Sequence, residues 1–180
     1  PGLDDAMPQM FRQLKLPFGG EAEGRAEERS VEAPSAARDN ERQRASGVMQ
    51  RALERMNMFA ALNRVTRNGG SPGIDGMTVE ALPGYLRACW PTIREQLLAG
   101  TYQPAPVKRV AIPKSGGGTR ELGVPTVLDR LIQQALLQVL QPMFDPTFSP
   151  HSYGFRPGRS AHDAVRTAER YARSGRQIVV

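Results

Sequence analysis

Apolar and polar residues follow two different regimes along this chain, and the change falls near Gly47. From Gly19 to Gly47 the only large aliphatic residue is Val31. Such a stretch buries too little apolar area to offset its ordering entropy, which predicts a mobile N-terminal extension over residues 1–46. Within it, Met7, Met10, Phe11, Leu14, Leu16 and Phe18 recur at roughly helical spacing. Two readings of that patch stand open, docking on the body or a partner, and a transient amphipathic turn.

From Val48 onward Met49, Ala52, Leu53, Met56 and Ala60 share one helical face through MQRALERMNMFAALNRV, which predicts a core-facing helix. Asn68, Gly69, Gly70, Ser71, Pro72 and Gly73 end it. GIDGMTVEAL then reads as a tight turn into a second helix with Thr78 as its candidate cap. Tyr85, Leu86, Trp90, Ile93, Leu97 and Leu98 carry an apolar face to Gly100, with Pro91 kinking or dividing the helix. Residues 47–100 thus read as a helical block joined by a glycine-rich elbow.

VKRVAIPKSGGGTRELGVP holds two short β-prone runs around a Gly-rich tip, a β-hairpin signal. Thr126 and Asp129 form a candidate capping box for a helix whose apolar face is Leu128, Leu131, Ile132, Ala135, Leu136, Val139 and Leu140, with Pro142 as its end. Ser160 and Asp163 repeat the box, and Ala164, Val165, Ala168, Tyr171 and Ala172 mark a shorter helix stopping near Gly175. Gln177 to Val180 begin a strand. The pattern is α+β, mostly helical with one hairpin.

Charge sharpens this division. Of the formal net charge of +6, residues 1–46 contribute −2 and residues 47–180 contribute +8. A basic surplus confined to the folded part favours an anionic partner, and nucleic acid ahead of a membrane surface. The alternative is an arginine-rich solubilising surface, since Lys15, Lys108 and Lys114 are the only lysines. A single cysteine, Cys89, leaves no internal disulfide and no thiolate metal site, which suits a cytoplasmic protein. No apolar stretch approaches the roughly 20 residues that span a bilayer.

Candidate chemistry concentrates in two places. Lys114 and Arg120 stand on either side of the Gly-rich tip, with Lys108 and Arg109 nearby. Cations at the neck of a flexible hairpin suit closure over a triphosphate or a strand backbone. The tip lacks the GxxxxGK[ST] arrangement of a P-loop, and an ordinary surface hairpin remains an equal reading. In SYGFRPGRSAHDAV, Tyr153, Phe155, Arg156 and Arg159 combine rings for stacking on bases with charges for phosphates. The competing reading makes Tyr153 and Phe155 core anchors. His151 and His162 have no partners at metal-ligand spacing and read as structural or capping residues. Asp75, Asp129, Asp145 and Asp163 are each explained by a turn or a cap.

Taken together, SPGIDGMTVEAL and IPKSGGGTRELGVPTVLDRLIQQALLQVLQPMFDPTFSPHSYGFRPGRSAHDAV resemble the group II intron reverse transcriptases and maturases, over roughly residues 48–180. The resemblance implies the fingers subdomain of a right-hand polymerase, with residues 47–100 upstream of the first reverse-transcriptase motif. Residues 101–180 would hold the first two motifs, truncated in a palm strand before the catalytic palm. It assigns Lys114 and Arg120 to the incoming dNTP, and Lys108, Arg109, Tyr153, Arg156 and Arg159 to the template path. Intron or template RNA, a DNA primer and dNTP are the implied partners, and the parent would also act as a splicing maturase. Family members bind catalytic Mg²⁺ through an aspartate after a strand like Ile178–Val180 and two more in a YADD-type turn, none of which this sequence carries. The chain alone is therefore expected to lack polymerase activity. The rival reading is a stand-alone RNA-binding module without polymerase activity.

Overall fold

A computed structural model describes Phe18 and residues 47–175. The rest of the expected extension and the strand expected at Gln177–Val180 lie outside the described residues. The chain divides into two compact units, the first ending at Val139 and the second beginning at Leu140.

In the first unit residues 47–52 are helical, and α1 (Arg55–Asn68) and α2 (Leu82–Ala99) follow. The hairpin is β1 (Lys108–Pro113) and β2 (Thr119–Val124), and α3 (Val127–Phe144) comes next, entering the second unit with its last turn. Met58, Phe59, Leu62 and Val65 of α1 pack with Leu82, Leu86, Trp90, Ile93 and Leu97 of α2 and with Val127, Leu131 and Ile132 of α3. Each fully buried side chain of this size contributes on the order of 1.5–3 kcal/mol by leaving water. Phe18 joins this core, 3% exposed, with its ring edge-on to Phe59 at 5.2 Å and to Trp90 at 4.9 Å. That residue of the N-terminal patch therefore docks on the body.

The first helix departs from the sequence reading. Glu54 is extended (φ −59°, ψ 141°) and restarts the helix at Arg55. The interruption rotates the buried face, so that Met58, Ala61, Leu62 and Val65 point inward while Met56 is 42% exposed and Ala60 is exposed. Thr78 does not cap α2, which begins after Ala81 without a side-chain cap, and Pro91 neither ends nor divides it. Pro142 likewise lies inside α3, which continues to Phe144.

The elbow between α1 and α2 is held by α3. Arg130 donates from Nη1 to Gly69 O (3.1 Å) and from Nη2 to Ser71 O (2.9 Å). Asp75 Oδ1 accepts from Met77 N–H (3.2 Å) and closes the turn. Gly73 sits so close to the start of α3 that a Cβ there would meet Thr126 Cα at 2.6 Å and Thr126 N at 2.8 Å. Both neighbours are backbone, so Gly73→Ala is expected to cost about 1–3 kcal/mol of stability, the range for overpacking. Urea denaturation checks it, and an unchanged midpoint would show the elbow free to move away.

In the second unit a 3₁₀ turn (Asp145–Thr147) leads through a loop to α4 (Ala161–Arg173). Its capping box is formed as the sequence predicts, Ser160 Oγ accepting from Asp163 N–H and Asp163 accepting from Ser160 N–H. No α4 residue is buried, and Val165 is 67% exposed.

Candidate nucleotide and nucleic-acid interface

The hairpin pairs antiparallel from Lys108↔Val124 to Pro113↔Thr119, with Ile112 opposite Arg120. Its tip is closed by Lys114 N–H to Gly118 O (3.0 Å) and Gly117 N–H to Lys114 O (3.1 Å). Gly117 and Gly118 adopt φ of 88° and 79°, a region open to glycine without strain. Lys114 and Arg120 are brought together on a cavity of about 620 Å³, lined also by Pro113, Ser115, Gly116 and Gly117. Among the described residues neither cation has a carboxylate partner. Lys108 and Arg109 open β1, both exposed. Arg109 approaches Glu121 only at 3.9 Å across an exposed pair, a contact worth about 0–1 kcal/mol.

Both legs of the hairpin are tied to one buried carboxyl group. Asp129, 4% exposed, accepts from Tyr102 OH (2.8 Å) and Ala105 N–H (3.2 Å) before β1, and from Thr126 Oγ–H (2.6 Å) after β2. Thr126 Oγ in turn accepts Asp129 N–H (3.1 Å), the capping contact expected from the sequence. Burial, then the hydrogen bond to Asp129, push the Tyr102 phenol well above its ordinary range. The sequence reading saw only the cap, because Tyr102 and Ala105 carry no local signal of a tertiary contact.

The second cluster is built differently from its expected role. Arg156 donates from Nε to Asp145 Oδ1 (2.8 Å), from Nη2 to Asp145 O (2.7 Å) and Oδ2 (3.2 Å), and from Nη1 to Ser149 O (2.9 Å) and Ser152 O (3.3 Å). A guanidinium has five N–H groups, so none is left for a phosphate. The expected template contact by Arg156 is thus replaced by an internal one. The bond to Arg156 holds the Asp145 carboxyl below the usual carboxylate range, and the same bond raises Arg156. Arg159 donates from Nη1 to Pro150 O and to Ser152 O (3.2 Å), with its guanidinium carbon 5.4 Å from the Tyr153 ring centre. Its Nε and Nη2 make no hydrogen bond among the described residues. Tyr153 OH donates to Thr167 Oγ1 (2.9 Å), which makes that ring a structural anchor. Phe155 instead stands fully exposed and is the only non-glycine residue at positive φ (56°) among those described.

His151 Nδ1 lies 3.4 Å from Tyr171 OH. Among the described residues no three His, Cys, Asp or Glu side chains come together in a way that would hold a metal ion. No helix among the described residues is long and apolar enough to cross a membrane.

A cation-necked hairpin followed by the arginine-ordered loop fits the match that residues 112–179 make to the family "Reverse transcriptase (RNA-dependent DNA polymerase)". Residues 112–179 are thus similar to a reverse transcriptase segment. Protein YkfC of Escherichia coli (strain K12) is 41% identical over 110 residues, covering 61% of this chain and 29% of that protein. The group II intron-encoded protein LtrA of Lactococcus lactis subsp. cremoris is 35% identical over 113 residues, 62% of this chain and 19% of LtrA. Nuclear intron maturase 1, mitochondrial, of Arabidopsis thaliana is 46% identical over 43 residues, 24% of this chain and 6% of that protein. Within that class the chain is similar to proteins named as group II intron-encoded proteins and intron maturases. It spans less than a third of the length of each of these curated relatives.

Proposed function

We propose that the chain supplies the fingers of a right-hand RNA-directed DNA polymerase of the group II intron type, gripping an incoming dNTP and template RNA. Lys114 and Arg120 would take the triphosphate, and Lys108, Arg109 and the free N–H groups of Arg159 would contact the template backbone. Residues 47–100 form the block upstream of the first reverse-transcriptase motif, and residues 101–180 the first two motifs. The parent protein would pair RNA template with DNA primer and assist splicing of its intron. Its divalent metal would be held by residues other than those described, so no primer extension is expected from this chain alone.

The observation that carries this reading is the pairing of Lys114 and Arg120 on one open cavity, with no carboxylate among the described residues to neutralise them. Two charges left unpaired on a glycine-lined concavity suit a polyanion that brings its own charge. Titration of a dNTP into the chain tests it. Each of Lys114→Ala and Arg120→Ala is expected to weaken binding about 10- to 100-fold, the range for a charge-assisted hydrogen bond. A double variant that binds dNTP as the wild type does would refute the assignment. RNA binding without any dNTP binding would favour the stand-alone RNA-binding module.

A further inference from the structure

The seam between α1 and α3 carries a polar surface that the hairpin reading does not use. A cleft of about 490 Å³ is lined there by Ala60, Asn63, Arg64, Arg67, Asn68 and Gln138. Arg64 and Arg67 are one helical turn apart and exposed, and neither has a carboxylate partner among the described residues. Asn68 also lines a second cleft of about 260 Å³, together with Arg130, Gln133 and Gln134. No acidic side chain lines either one.

The amides of Gln138, Gln134 and Asn57 are held in place before any ligand arrives. Gln138 Nε2 donates to Asn57 O (3.0 Å) and Oδ1 (2.8 Å), and Asn57 Nδ2 donates to Ala52 O (2.7 Å) and Ala135 O (3.0 Å). Gln134 Nε2 donates to Gln138 Oε1 (3.3 Å) and continues the row. Arg130 is pinned by its two carbonyl contacts, and among the described residues its buried Nε–H has no acceptor.

We propose that this seam is a second RNA contact, separate from the hairpin, which takes the sugar–phosphate backbone of a structured RNA. Arg64 and Arg67 lie on the same face, close enough to engage neighbouring phosphates of one strand. The amides of Asn68, Gln133 and Gln134 both donate and accept, which matches ribose 2′-hydroxyls better than a bare anion or an apolar ligand. The lack of acids excludes a cation as the occupant. This inference does not depend on triphosphate binding at Lys114 and Arg120.

Binding of the whole chain to a fluorescently labelled RNA stem-loop, and to a DNA stem-loop of the same sequence, across a salt series tests the proposal. The double substitution Arg64→Gln with Arg67→Gln is expected to weaken RNA binding at least about tenfold and to flatten the salt slope by about one per arginine. Arg64→Lys with Arg67→Lys should restore the slope. Gln133→Ala should weaken RNA binding more than DNA binding, and an added dNTP should not displace the RNA from the seam. Wild-type affinity and slope in the glutamine double variant would overturn the proposal. Equal binding of RNA and DNA, unaffected by Gln133→Ala, would overturn it too, because it would reveal a general basic surface. Loss of dNTP binding in the Lys114→Ala, Arg120→Ala double variant with seam binding intact supports two separate sites. Failure of dNTP binding in the wild type would remove only the hairpin assignment.

Discussion

Asp129→Ala is expected to destabilise the first unit by about 3–6 kcal/mol, because three donors lose their acceptor at once. Tyr102 OH, Ala105 N–H and Thr126 Oγ–H all converge on a carboxyl group that is 4% exposed. A buried donor left without a partner costs about 1–3 kcal/mol, and water reaches this position poorly. Asp129→Asn should cost much less, about 1 kcal/mol. The amide oxygen can keep Ala105 and Thr126, while the NH₂ group can donate to a Tyr102 hydroxyl that turns to accept. Tyr102→Phe removes one member of the network and should also cost about 1 kcal/mol. Urea unfolding followed by fluorescence of the single tryptophan checks the series, since Trp90 is 1% exposed in the same core. Equal costs for Ala and Asn would show that packing, rather than acceptor loss, sets the penalty. The same network joins both legs of the hairpin to the start of α3. Amide hydrogen exchange along residues 105–126 should therefore quicken in Asp129→Ala beyond what the global loss of stability explains.

The features legible in the sequence were those written over short spans. A Gly-rich tip between β-prone runs suffices for the hairpin and for the flanking of the tip by Lys114 and Arg120. Ser160 with Asp163 suffices for the α4 cap. The phase of the first helix was not legible, because MQRALERMNMF offers two overlapping apolar faces and only the extended Glu54 selects between them. The cap at Asp129 forms as the sequence predicts, but its further partners, like those of Arg156, were not legible for a related reason. Their local neighbours supply a complete explanation, a cap and a basic loop, while the partners that decide their roles lie at Tyr102, Ala105 and Asp145. Freedom from a partner is also a tertiary property. That no carboxylate among the described residues neutralises Arg64, Arg67, Lys114 and Arg120 depends on which acids the fold leaves out of reach. For α4, apolar residues at helical spacing mark the helix, yet spacing alone does not say whether another element covers the face they share.

Arg156→Ala is expected to release the loop from Asp145 to Arg159, and Arg156→Lys is expected to fail to restore it. The five N–H groups of the guanidinium bind one carboxylate and three backbone carbonyls that belong to the 3₁₀ turn and to the loop. A lysine ammonium has three donors and no planar fork, so it cannot serve Asp145 and the Ser149 and Ser152 carbonyls together. Hydrogen exchange of peptides from this loop should rise sharply in both variants while the first unit keeps its protection. Phe155 adds a second readout. Its left-handed conformation costs about 1–3 kcal/mol for a non-glycine residue and persists only while the surroundings enforce it. Without the fork it should relax to negative φ, visible in backbone chemical shifts. The pH dependence has a definite sign. The folded-state pKa of Asp145 is depressed, so its contribution is fully present above the ordinary carboxylate pKa of about 4 and is lost as pH falls through the lower folded value. As pH falls from about 4 through that lower value, loop protection in the wild type, corrected for intrinsic exchange, should decline toward that of Arg156→Ala. Asp163 is depressed too, chiefly by its bond from Ser160, so the first turn of α4 should keep its own acid transition in the variant. Peptides covering the loop and the cap separate the two. If the loop exchanges no faster in either variant, the arginine fork is not what orders it, and the guanidinium would again be available to a phosphate.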